Sequence, residues 1–127
     1  MQRWRPNATK LVKILFNLET PALPHLQHNM PSDRVLISEV GPRDGLQSVK
    51  QTMATAHKLR WIDALVASGL QEIEVASFVP SHLLPQMADA ALVVQHARQY
   101  PNLTVMALVP NRKGAEAALK AGAHKLT

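Results

Sequence analysis

Cysteine is absent from the 127 residues, which excludes both a disulfide framework and a thiolate metal centre. Aromatic residues are scarce at 4% and Gly totals only 5. No apolar run approaches the roughly 20 residues that cross a bilayer as a helix. No Gly-x-Gly-x-x-Gly phosphate fingerprint follows the first apolar run, where Gly41-Pro42-Arg43-Asp44-Gly45 stands instead. The formal net charge of +5 is unevenly spread. Residues 1–29 hold Arg3, Arg5, Lys10 and Lys13 against Glu19, whereas residues 30–127 hold ten Lys and Arg against eight Asp and Glu. The larger part therefore lacks the basic stripe of a nucleic-acid binder, and neither nucleic acid nor membrane is expected as a partner.

What remains is an apolar content of 46% in a chain long enough for one hydrophobic core. Residues 1–33 and 34–127 read differently. The first stretch contains Pro6, Pro21, Pro24 and Pro31 and is expected to be a disordered extension, or to lie upstream of a true start at Met30. The second reading gives a compact bacterial, cytoplasmic protein. Its alternative is mitochondrial targeting by the Arg-rich start, although the Ser-rich composition of such segments is missing. His25 and His28 lie three apart without a third ligand nearby and read as solvated.

From residue 34 the periodicity alternates. Val35–Val40 is a short β-rich run. Thr52–Ser68 carries Leu59, Ile62, Leu65 and Val66 at helical spacing, and Gly69 stands where a left-handed cap belongs. Ile73–Ser77 reads as a second strand and His82–Ala97 as a second helix, with Leu83, Leu84, Met87, Ala91 and Val94 on one side. Leu103–Val109 and Lys113–Ala121 follow as strand and helix, with Gly122 closing the helix and Lys125-Leu126-Thr127 opening a fourth strand. Strand–helix alternation predicts an α/β fold with a parallel sheet, either open and doubly wound or a (β/α)8 barrel. A barrel typically needs about 250 residues, so residues 34–127 would supply less than half of one.

The stretch Glu39-Val40-Gly41-Pro42-Arg43-Asp44-Gly45-Leu46-Gln47 directly follows the first strand. Ligands of parallel α/β folds bind beyond the carboxyl ends of the strands, so a guanidinium and a carboxylate stand together where chemistry occurs. Taken as a dipeptide alone, Arg43-Asp44 is equally consistent with an inconsequential surface ion pair. Glu72 and Glu74 alternate along the second strand and share a face, and Glu74 lies nearer the strand end. Glu39 would either orient Arg43 or cap the sheet. His57, His82, His96 and His124 form no His-x-His pair and read as surface or interface residues. Met53, Met87 and Met106 read as core filler, and Trp61 as packing.

As a whole, the nine-residue string resembles the Arg-Asp-Gly-x-Gln signature of metal-dependent lyase and Claisen-condensation barrels. The Glu-Val-Gly-Pro prefix and Leu-Gln ending are similar to the hydroxymethylglutaryl-CoA lyase branch. Condensing relatives usually show Thr-Leu-Arg-Asp-Gly-Glu-Gln. Two further blocks agree: Ile73-Glu74-Val75-Ala76-Ser77-Phe78-Val79-Pro80 with Pro85-Gln86-Met87-Ala88-Asp89, and Leu108-Val109-Pro110-Asn111 with Gly114. The resemblance implies an N-terminal part, about strands 1–3 and the start of 4, of a (β/α)8 TIM barrel over residues 34–127.

It also implies retro-Claisen cleavage of 3-hydroxy-3-methylglutaryl-CoA, or a close analogue, to acetoacetate and acetyl-CoA, as in leucine degradation and ketone-body formation. Arg43 and Glu74 would be catalytic, and Arg43, Gln47 and Ser77 would bind substrate. Asp44 would ligate a divalent cation, Mg2+ or Mn2+. The family's His-x-His ligands, metal-binding Asn and mobile Cys have no counterpart in these 127 residues, so a truncated chain, inactive alone, is expected, with a homodimer possible for the full-length form. A condensing synthase and a catalytically dead interaction module are the alternatives. Ser48-Val49 stands where the family has Asn-Glu, and Pro80-Ser81-His82 replaces Ser-Pro-Lys beside the pocket.

Overall fold

The computed structural model describes residues 35–127; the expectations for residues 1–33 lie outside that range. Nine elements follow in order: β1 (Ser38–Glu39), a five-residue π-helical turn (Gly41–Gly45), α1 (Thr55–Ala67), β2 (Glu72–Ser77), a short 3-10 turn (Pro85–Met87), α2 (Ala90–Ala97), β3 (Thr104–Leu108), α3 (Arg112–Ala121) and β4 (Lys125–Leu126). The strands form one parallel sheet in the order β1-β2-β3-β4. Each strand neighbours its successor. A doubly wound sheet returns to place β3 or β4 beside β1, so an unbroken sequential order through β4 fits barrel-type winding.

Strand pairing sorts the side chains. β3 alternates half-buried Thr104, Met106 and Leu108 with buried Val105 and Ala107. The buried positions join Ile73, Val75 and Ala76 of β2 and Ile62, Ala90, Val93, Val94, Ala97, Ala118 and Ala121 of the helices in the main core. The small side chains of α2 and α3 let these helices lie close to the sheet. The other face carries the polar side chains. Glu72 registers with Ser38 and Thr104, and Glu74 with Met106. The register slips between Glu74 and Ala76, so Ser77 pairs with Leu108 and returns to the face of the two glutamates.

Helix ends follow sequence chemistry in part. Gly69 and Gly122 adopt positive φ of 95° and 105°, as their places after α1 and α3 predict. Asn111 caps α3, its side-chain oxygen accepting the Gly114 N–H at 3.0 Å.

Two expected elements are shorter than their apolar patterns. β1 pairs only over Ser38–Glu39, because β2 begins at Glu72, the partner of Ser38. The expected helix His82–Ala97 is a turn, the 3-10 turn and then α2. Pro85 excludes a helical conformation for Leu84, which sits at φ −138°, ψ 74°. Leu83 is consequently 68% exposed, whereas Leu84 and Met87 are buried.

Candidate active site

Residue by residue, the site starts from Glu39. Its Oε1 accepts the Gly41 N–H at 2.6 Å, so Glu39 fixes the entry to the turn, and among the described hydrogen bonds it does not engage Arg43. Pro42 starts the turn with a preset φ. The Val40 carbonyl accepts from the Arg43 and Asp44 N–H groups at 3.0 and 2.7 Å, and the Leu46 N–H closes on the Arg43 and Gly41 carbonyls. The turn thereby carries Arg43 from beyond the carboxyl end of β1 onto Glu74 in the middle of β2.

The Arg43 guanidinium spans two carboxylates. Its Nε and Nη2 donate to Glu74 Oε2 at 2.7 and 2.5 Å, and Nη1 donates to Asp44 Oδ1 at 2.8 Å. Glu74 is only 2% exposed, Arg43 16% and Asp44 61%. The other Glu74 oxygen, Oε1, accepts the Thr127 hydroxyl. A buried carboxylate is thus held at both oxygens, and this fixes the guanidinium plane. The fork leaves one N–H on Nη1 and one on Nη2 for another acceptor.

Below this layer, Lys125 reaches across β3 to Glu72. That bond, reinforced by the Ser38 hydroxyl, holds the Glu72 carboxyl below its ordinary range against the opposing effect of burial. Both glutamates are therefore polar interior positions, one pinned by lysine and one by arginine.

The structure brings Arg43, Asp44 and Glu74 together. Ser77 shares the glutamate face by register, and its fully buried hydroxyl has no hydrogen-bond partner among the described residues. Gln47 is exposed beside the turn and joins no contact to Arg43, Asp44 or Glu74 among the described hydrogen bonds. Lys125 and Thr127 were read only as the start of a strand and not as site residues. Their alternation about Leu126 was the available signal, since it puts both on one face of the sheet.

Two histidines prove less bland than a surface reading. His124 Nδ1 accepts the Val105 N–H at 2.9 Å, and burial pushes its pKa down. His96 Nε2 lies 2.5 Å from Asp63 Oδ1, which also accepts the Tyr100 hydroxyl at 2.7 Å. Met87 is buried, and Met53 and Trp61 pack against it.

Asp44 suits a hard cation: it is a carboxylate with Oδ2 free of side-chain partners among the described residues. No group of three His, Asp or Glu is placed to share a metal among those residues. The described residues thus fit one oxygen ligand of such a centre. Cavities of about 280 and 270 Å³ are lined around Ser77–Val79 with Ala90, and around Gly69–Gln71 with Tyr100–Leu103; neither is lined by Arg43. No helix among the described residues is long and apolar enough to cross a membrane.

With this geometry in place, comparison with known proteins is decisive. A profile of the HMGL-like family matches residues 34–127. The chain belongs to the HMGL-like family. It is 50% identical over 98 residues to a Pseudomonas aeruginosa protein named 3-hydroxy-3-isohexenylglutaryl-CoA/hydroxymethylglutaryl-CoA lyase, covering 77% of this chain and 32% of that relative. A crystal structure of hydroxymethylglutaryl-CoA lyase from Pseudomonas aeruginosa superposes with a TM-score of 0.70 at 50% identity, over 73% of this chain and 31% of that one. An HMG-CoA lyase from Acinetobacter baumannii, solved with coenzyme A and 3-methylmalate, matches at 34% identity and a TM-score of 0.68, over 72% and 30%. The chain therefore spans about a third of the length of the relatives it matches. These relatives are carbon–carbon lyases, and the parallel sheet corresponds to part of their barrels.

Proposed function

We propose that the protein containing this sequence cleaves 3-hydroxy-3-methylglutaryl-CoA, or a close 3-hydroxy-3-alkylglutaryl-CoA, to acetyl-CoA and the corresponding 3-oxo acid. The observation that carries this reading is the Arg43 guanidinium, beyond the carboxyl end of β1, locked on buried Glu74 with one N–H on Nη1 and one on Nη2 left for another acceptor. The names of the relatives support the substrate class.

In the reaction the tertiary hydroxyl loses its proton, the adjacent carbon–carbon bond breaks, and the bonding pair passes into the thioester as an enolate. Protonation of that enolate gives acetyl-CoA. Arg43 offers its free N–H groups to the thioester oxygen, where negative charge grows. Glu74 keeps the guanidinium from swinging away, so this donor needs no reorganisation as charge develops. Gln47 and Ser77 are assigned to the substrate pocket, Ser77 on the strength of its buried, unpartnered hydroxyl. Asp44 would hold a divalent cation, whose Lewis acidity makes the tertiary hydroxyl easier to deprotonate. The described residues offer one such ligand, and we expect a polypeptide of this sequence alone to release no acetyl-CoA.

The test is acetyl-CoA release by the complete protein. Arg43→Gln should lower kcat by about 10²–10³-fold, the effect of losing one such donor. Asp44→Ala should weaken Mg2+ or Mn2+ binding measured by calorimetry as well as turnover. Near-normal turnover in both variants would overturn the assignment.

A further inference from the structure

We propose that Lys58, Gln86 and Asp89 form a strap that positions the Arg43–Asp44 turn by tying the loop after β1 to the loop after β2. Lys58 projects from α1 and is only 4% exposed. Its Nζ donates to Asp89 Oδ1 at 2.6 Å and to the Gln86 carbonyl at 2.5 Å. Asp89 Oδ2 accepts the Thr55 hydroxyl at 2.7 Å, so both carboxylate oxygens are engaged from α1. Gln86 Nε2 then crosses to the Val49 carbonyl at 2.7 Å. The ammonium joins α1 to residues 86–89, and the Gln86 amide joins those residues to Val49.

An apolar seat lies beneath the strap. Leu46, Leu84 and Met87 are buried together, with Met53, Trp61 and Val79 packed against them. Leu46 is the residue whose N–H closes the Arg43–Asp44 turn. At the other end, the Trp61 ring would lie 3.3 Å from a Cβ on Gly41, so α1 backs the turn directly. Any slackening between Val49 and Gln86 is passed to the turn through Leu46.

A buried ammonium–carboxylate pair is poorly explained as a device for stability. Desolvation consumes much of its attraction, and apolar side chains of equal volume commonly serve as well or better. What such a pair supplies is fixed geometry, here between two loops that flank the site. Lys58, Gln86 and Asp89 do not touch the reacting groups, so they are positioning residues.

The kinetic arm of the test rests on the lyase reading; the exchange arm does not. In the complete protein, Gln86→Met removes the donor to Val49 together with a buried acceptor, Oε1, that lacks a partner among the described residues. The melting temperature should therefore change little. Amide hydrogen exchange over residues 46–53 should accelerate by about tenfold or more, and kcat should fall by about tenfold or more while KM changes less, as expected when reacting groups are slightly misplaced. The double variant Lys58→Met with Asp89→Leu should match the parent in melting temperature yet share the loss in kcat. Unchanged exchange in Gln86→Met, or full kcat in either variant, would overturn the proposal. If the parent cleaves no 3-hydroxyacyl-CoA at all, the functional reading fails, while the exchange measurement still decides whether the strap orders the turn.

Discussion

Arg43 and Glu74 depend on each other because neither charge is well solvated. Glu74 is 2% exposed and has the guanidinium on one oxygen and Thr127 on the other. Arg43→Met would leave that carboxylate buried and unpaired, which costs about 3–5 kcal/mol. Arg43→Met with Glu74→Met should recover most of the loss. Chemical denaturation of the complete protein measures both, and additive losses would mean the pair is not coupled. Arg43 and Asp44 were legible because a dense local string after the first strand announces them; Glu74 was singled out for a strand-end place, whereas it sits third of the six residues of β2. Lys58 was not singled out, although a signal existed. It lies four residues before Ile62, on the apolar stripe of α1, where a lysine has no reason to be unless it is paired.

Asp63 shows what pH reveals at the same scale. Bonds from His96 and then Tyr100 hold its carboxyl below the ordinary value, outweighing burial. A folded pKa below the unfolded one adds stability that is fully present above the unfolded value, near pH 4. That stability disappears as pH falls through the folded value. Asp63 is 42% exposed, so screening keeps the effect modest. Melting curves of the parent and Asp63→Asn should separate above about pH 4 and converge in more acid solution. A gap that widens on acidification would contradict the assignment.

Among the elements, caps were easier to read than lengths. Gly69 and Gly122 stand where positive φ is needed, and Gly is the residue that adopts it freely. Nothing lies within 4 Å of a Cβ placed on Gly69. Gly69→Ala therefore isolates backbone strain from crowding and should cost about 1–2 kcal/mol, read from the urea midpoint at unchanged slope. A neutral result would show that the end of α1 relaxes. The His82–Ala97 pattern misled for a physical reason. Apolar spacing counts side chains and not their partners, and residues 84–89 are bound by Lys58 and the Leu46 cluster. Tertiary contacts overrode the helical period there, and Pro85 had marked the place.

At the scale of residues 35–127, the sheet has two flanks. One face is covered by α1, α2 and α3, and the other carries the polar layers Glu72–Lys125 and Arg43–Glu74–Thr127. The outer strands are short, and apolar side chains crowd them: Val35, Leu36 and Ile37 are 82, 56 and 66% exposed, and Leu126 is 37% exposed. Strand–helix alternation left the open sheet and the barrel both standing, and only the family resemblance pointed to barrel winding. The polar layers were not legible, because they depend on pairing across β3. Among the described residues the outer edges of β1 and β4 pair with no further strand, and such edges offer backbone donors and acceptors to any other chain. A polypeptide of this sequence alone should therefore self-associate, with an apparent mass by light scattering that rises with concentration. Ile37→Lys places a charge on the β1 flank and should weaken that association without altering the core, which Ile37 does not join. If the polypeptide stayed monomeric at all concentrations, the flanks would have to be covered within the chain itself.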